Sequence, residues 1–140
     1  YGGHTYNSHP LCLAAALANI EVIEEEKLVE RAASLEPLMK AEMARLKAKH
    51  PSMKEGRAIG LFGMIDLQKN ARGEPFSPYA SSGPVMAKLS RFFRDQGLLT
   101  FVKHSNFTCV PPLCISEDEL RQGFAIVDRA LELTDAEYQT

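Results

Sequence analysis

The sequence has no excess of charge of either sign: 16 lysines and arginines stand against 18 aspartates and glutamates, a formal net charge of -2. Without a basic stripe it lacks the footprint of a phosphate-neutralising surface, which argues against nucleic acid as a partner. Cysteine is scarce and odd in number. Cys12, Cys109 and Cys114 form no Cys-x-x-Cys pair and each sits among apolar residues, so a disulfide framework is excluded and a reduced, cytoplasmic protein is expected. Long apolar runs are missing too. Leu11 to Ile23 is too short to span a bilayer and ends in Glu24, Glu25 and Glu26, and no charged segment followed by an apolar core opens the chain. Neither internal repeats nor low-complexity tracts occur. With 45% hydrophobic and 24% charged residues, the composition is that of an ordinary globular chain, not a disordered one.

What is present is concentrated at the start. Gly2 and Gly3 allow close backbone approach, Thr5 offers a hydroxyl and an N–H, and Pro10 suits the first position of a helix. Small polar groups beside a helix start suit an anion, although a simple helix-capping turn uses the same residues. From Pro10 to about Glu26 apolar residues occur on nearly every side, including Leu11, Leu13, Leu17, Ile20, Val22 and Ile23. Such a helix is normally buried between layers, and 140 residues can hardly supply the cover, so a partner domain or subunit is expected against it. Tyr1 has no strand, cap or initiator methionine before it, which is expected of a piece of something longer.

Leu28, Ala32, Leu35, Met39, Met43 and Leu46 give a second, amphipathic helix, bent or split near Leu35 by Pro37 and stopped by His50-Pro51. Ala58 to Leu67 reads as one strand with apolar residues on both faces, hence covered on both sides. Lys69 to Ser82 is loop by composition. Pro84 opens a third helix that Gly97 ends, with Val85, Leu89, Phe92 and Phe93 inward. Two short strands, Leu98 to His104 and Phe107 to Val110, flank a turn at Ser105-Asn106. Ser116-Glu117-Asp118-Glu119 is a capping box before a last helix whose inner face is Leu120, Phe124, Val127 and Leu131. The pattern predicts an α+β fold, a small mixed or antiparallel sheet with helices packed on it.

Three stretches carry a resemblance. Tyr1-Gly-Gly-His-Thr-Tyr-Asn-Ser-His-Pro-Leu-Cys-Leu with its alanine-rich continuation, Gly56-Arg57-Ala58-Ile59-Gly60-Leu61-Phe62, and Pro111-Pro112-Leu113-Cys114-Ile115-Ser116 resemble, in order, segments of the class III (omega-amino-acid type) pyridoxal-phosphate aminotransferases that follow the catalytic lysine. The resemblance implies the C-terminal portion of such an enzyme. Residues 1–26 would be the cofactor-phosphate turn and interdomain helix, and residues 27–140 the C-terminal small domain. It also implies a homodimer in which Thr5, with His4, binds the phosphate of pyridoxal 5'-phosphate in the neighbouring subunit. An N-terminal large domain would supply the Schiff-base lysine, because none of Lys27, Lys40 or Lys103 has its context. These 140 residues alone are therefore expected to be inactive. The parent would move an amino group from an amine or omega-amino acid to a 2-oxo acid such as pyruvate or 2-oxoglutarate.

Other residues can be weighed singly. His4, His9 and Cys12 do not complete a tetrahedral metal site, so no metal is expected. Cys109 has no assignable base and reads as a small buried hydrophobe. Arg57, Lys103 and His104 could read an acidic group on the substrate. Several relatives place an arginine in the strand leading to Pro-Pro, whereas Thr100 to Val110 contains none, which argues against a glutamate-type carboxylate switch and leaves Lys103 or a residue outside this chain for that task. Ala58 stands where the family commonly has glycine. An aminomutase or decarboxylase of the same scaffold would share these motifs, and a non-catalytic interaction or dimerisation module is the alternative of a different class.

Overall fold

The computed structural model describes residues 5, 6, 8–79 and 81–139, and its first helix, α1, runs Pro10–Glu25. Pro10 sits at the N-terminal end, where a missing N–H breaks no bond. Lys27 takes a left-handed backbone, φ 49°, and interrupts the helical path before α2 (Leu28–Lys49). Pro37 does not split α2, which runs through it as one helix, so of the bend or split expected the split is not found. Its ring and Ala33, the residue whose carbonyl loses its donor, are both exposed, so water can serve that carbonyl.

The single strand expected over Ala58 to Leu67 is instead the end of one strand, a turn and a second strand of a hairpin, β1 (Met53–Ile59) and β2 (Phe62–Leu67), with Ile59 opposite Phe62. The turn is possible because Gly60 adopts φ 55°, and its N–H donates to Glu36 Oε2 of α2 at 2.6 Å. After the 68–83 connection come α3 (Pro84–Asp95), the two-residue β3 (Val102–Lys103) and β4 (Asn106–Cys109). The β3–β4 turn falls on His104-Ser105, one residue earlier than the sequence suggested, with His104 at φ 56°. The last helix, α4 (Glu117–Asp135), starts with the expected capping box: Ser116 accepts from the Glu119 N–H, and the Glu119 side chain reaches back to the Ser116 N–H.

The sheet order is β1-β2-β4-β3 and every pairing is antiparallel. Alternation sends Ile65, Leu67 and Phe107 to the face under the helices, where they join Met39, Met43, Leu46, Leu89, Phe93, Phe124 and Leu131 in one core. The opposite face carries Glu55, Arg57, Ile59, Phe62, Met64, Asp66, Asn106, Thr108 and Lys103. Among the described residues nothing covers that face, so the expected two-sided cover is not found: Ile59 is 82% exposed and Phe62 63%. Helix α1 is a parallel case. It buries none of its residues and meets the body principally through α2, leaving Leu11, Leu17 and Ile20 exposed.

Candidate functional site

Thr5 lies in an exposed turn that leads into α1. Tyr6 and Ser8 both adopt positive φ, 61° and 60°, and the His9 N–H closes the turn onto the Tyr6 carbonyl at 3.2 Å. His9 is the N-cap but gives α1 no side-chain acceptor, and the first helical turn carries no acidic residue. The start of α1 therefore takes no cap from the His9 side chain and no acidic residue in its first turn, and its free N–H groups and dipole suit an anion. A threonine hydroxyl in a turn that leads into a helix start is donor chemistry of the kind a phosphate group would take. His4, named with Thr5 from the sequence, lies outside the described residues. His9 stands edge-on to Tyr6 with ring centroids 6.4 Å apart.

The structure does not gather the proposed acid-reading residues into one site. Arg57 on β1 donates to the Asp66 carboxylate across the hairpin, which commits its charge to the sheet. Lys103 ends β3 opposite Asn106, and the register continues laterally through Asp66 to Glu55, making a polar row across the open sheet face. Lys103 is exposed and forms no ion pair among the described residues. His104 stacks on Tyr79 of the 68–83 connection, centroids 4.7 Å apart and planes at 16°.

Two apolar grooves flank Pro111. One, of about 590 Å³, runs between the 98–101 segment, Val110 and α4, floored by Leu120 and Phe124. The other, of about 440 Å³, lies between α2 and the β1–β2 turn, with Ile59, Phe62 and Leu113 on its walls. Cys109 borders the first groove, where burial pushes its thiol up to about 12, far from the range of a neutral-pH nucleophile. No group of three His, Cys, Asp or Glu side chains able to hold a metal occurs among the described residues, and none of their helices is long and apolar enough to cross a membrane.

Sequence reasoning missed two features. Arg31 near the start of α2 donates to the Ile115 carbonyl and so ties the Pro-Pro segment to that helix. His50, read only as a helix stop, is buried between two carboxylates of α4. The available signal was Asp128 and Asp135, seven residues apart and therefore on one helical stripe.

Comparison with known proteins matches residues 2–131 to the family described as aminotransferase class-III. The chain is 35% identical to the mitochondrial ornithine aminotransferase of Arabidopsis thaliana, an alignment covering 94% of this chain and 26% of that protein. It is 29% identical to putrescine–pyruvate aminotransferase of Pseudomonas aeruginosa, covering 97% of this chain and 29% of that one. Among solved structures, taurine:2-oxoglutarate aminotransferase from Bifidobacterium kashiwanohense, in complex with PLP and glutamate, superposes with a TM-score of 0.89 at 29% identity, covering 96% of this chain and 30% of that chain. The chain therefore spans less than a third of the length of these relatives.

Proposed function

Because this chain belongs to the class III aminotransferases, we propose that it is the C-terminal part of a pyridoxal-phosphate enzyme that moves an amino group from a terminal amine or omega-amino acid to a 2-oxo acid. The family match across nearly the whole chain carries this reading. The donors named for the relatives, ornithine, putrescine and taurine, share a primary amine on a methylene carbon, and the named acceptors, pyruvate and 2-oxoglutarate, are 2-oxo acids. Matches described as aminotransferases favour this chemistry over the aminomutase and decarboxylase alternatives.

Within that reading residues 1–26 are the phosphate turn and interdomain helix, and residues 27–140 the small domain. The cofactor supplies the electron sink for the reaction. Thr5 supplies a hydroxyl and an N–H to its phosphate in the neighbouring subunit, and the start of α1 adds its dipole. The exposed apolar surface of α1 is the part a large domain or second subunit covers. The remainder caps the cleft, excludes water and leaves Lys103 available for an acidic group on the substrate, a role Arg57 cannot fill while paired to Asp66. These 140 residues lack the lysine that bonds the cofactor and are inactive alone, and the three unpaired thiols suit a reduced, cytoplasmic setting.

The test is turnover by the full-length protein carrying this segment, with ornithine, putrescine and taurine each offered with pyruvate and with 2-oxoglutarate. Amino transfer in at least one pairing, dependent on added cofactor, is expected. Absence of transfer in all of them would overturn the substrate class.

A further inference from the structure

Between α1 and α2 stands one residue with a left-handed backbone, the exposed Lys27, at φ 49° and ψ 47°. Glu26 before it lies at the edge of the helical region, φ -84° and ψ 0°. Helical hydrogen bonds reach this point from both sides: the Glu26 N–H donates to the Val22 carbonyl at 3.0 Å, and the Arg31 N–H to the Lys27 carbonyl at 2.9 Å. A single residue therefore interrupts what is otherwise one helical path from Pro10 to Lys49. Only glycine enters the left-handed region without steric cost, so the bend at Lys27 is strained.

Two further terms oppose the bend. The Leu28, Val29 and Glu30 N–H groups begin α2 without a side-chain cap. Glu24 and Glu25 stand at the negative end of α1, whose last turn holds no basic residue. Packing returns little, because α1 buries none of its residues and meets the body principally through α2. In a continuous helix the three N–H groups would bond the carbonyls of Glu24, Glu25 and Glu26, and the acids would no longer sit at a helix end. Against this, straightening sets Glu26 one turn from Glu30, a like-charge pair, and gives up the α1–α2 contact.

We propose that Lys27 is a one-residue hinge. The chain passes between the bent form, left-handed at Lys27, and a straight form, right-handed at Lys27, in which α1 and α2 are one helix. Leu28, the next residue, is buried and anchors the body side, whereas Glu26 and Lys27 are exposed. The 16 residues of α1 span about 24 Å, so a rotation at its base carries the Thr5 turn through a distance of that order. What the hinge serves rests on the proposed function: with residues 1–26 held by the large domain, the small domain is the part that swings about the cleft.

Distances between spin labels test the hinge. Leu17→Cys and Lys47→Cys place one exposed label on each helix of the 140-residue chain, its own thiols removed by Cys12→Ala, Cys109→Ala and Cys114→Ala. Dilution with unlabelled copies restricts the reading to pairs within one molecule. A continuous helix sets the two positions about 45 Å apart, at about 1.5 Å per residue, and any bend brings them closer. Two populations are expected, one of them at the full separation. Lys27→Val, β-branched and excluded from the left-handed region, should enlarge the long population several-fold, and Lys27→Gly should shrink it. A single short separation in the chain and in both variants would overturn the proposal, as would a long population indifferent to residue 27. The distances need neither cofactor nor turnover, so failure of the proposed amino transfer is told apart from failure of the hinge.

Discussion

Gly56→Ala probes how closely β1 lies against α2. A Cβ built at Gly56 would stand 2.8 Å from Met53 Cε, 2.9 Å from Met43 Cβ and 3.2 Å from Met43 Cγ, against about 3.5–4.0 Å for a relaxed carbon contact. The Met53 methyl can swing aside, but Met43 Cβ is fixed to the α2 backbone, so the strand must lift from the helix by several tenths of an ångström. Overpacking of this kind costs about 1–3 kcal/mol, and the smaller entropy of the unfolded alanine chain returns about 0.4–1 kcal/mol, leaving a net loss of about 1.3 kcal/mol at the middle of those ranges. Gly63→Ala is the control. Its two tightest neighbours, Met43 Cε at 2.6 Å and Met39 Cε at 2.9 Å, are ends of flexible side chains, so the cost is smaller, about 0–1 kcal/mol. Urea unfolding should therefore rank the chain above Gly63→Ala and Gly63→Ala above Gly56→Ala, with unchanged slopes. A Gly56→Ala variant as stable as the parent, or a reversed order, would refute the packing argument.

Three further outcomes follow from the structure. Burial works against charge on Asp128, but the bonds from Lys49, Arg45 and His50 outweigh it and hold the carboxyl below its unfolded value, so the stability it adds is fully present above the ordinary carboxylate range and is lost as pH falls toward the folded value. Asp128→Asn is expected to cost about 1–3 kcal/mol at neutral pH and to flatten the acid limb of a thermal-stability profile; an unaltered acid limb would contradict the assignment. Thiol reagents at neutral pH should label the exposed Cys12 and Cys114 first in the native chain and the half-buried Cys109 much more slowly, whereas equally rapid labelling of all three would contradict its raised thiol. Leu17, 62% exposed here, should tolerate Leu17→Ala within about 0.5 kcal/mol in the 140-residue chain but cost about 2–5 kcal/mol in the full-length protein if α1 is covered there. Equal, small losses in urea unfolding of both would argue that α1 stays bare.

Elements whose signals are local were legible in the sequence. Pro84 and Gly97 bracket α3, the Ser116 box starts α4, and the spacing of Leu35, Met39, Met43 and Leu46 gives the buried stripe of α2. The β1–β2 hairpin was not legible because its turn is apolar: Gly60-Leu61 lacks the usual polar turn residues, and Leu61 is buried while Glu36 of α2 holds the Gly60 amide. Leu98 to Phe101 looked like strand because it is apolar, but it lines a groove and only Val102-Lys103 pairs. The setting of His50 between Asp128 and Asp135 needs residues about eighty positions apart, which no short-range pattern joins. At the candidate site the proposed phosphate turn was marked in the sequence by Thr5 and Pro10. The need of α1 for cover from outside these residues was legible in its all-round apolar sequence, whereas the uncovered face of the sheet appeared only once the helices had been placed.

The measurement that tests the central claim most directly is cofactor binding in mixed dimers of the full-length protein. One subunit carries Thr5→Ala, and the other lacks the lysine that bonds the cofactor. If Thr5 serves the neighbour's phosphate, the mixed dimer contains one site with both lysine and threonine. That site should bind pyridoxal phosphate with parental affinity, while Thr5→Ala homodimers bind it more weakly by about 10–150-fold, the equivalent of about 1.5–3 kcal/mol for a hydrogen bond to a charged group. Mixed dimers as weak as the Thr5→Ala homodimer would contradict action across the interface, and Thr5→Ala homodimers with parental affinity would contradict the phosphate role itself.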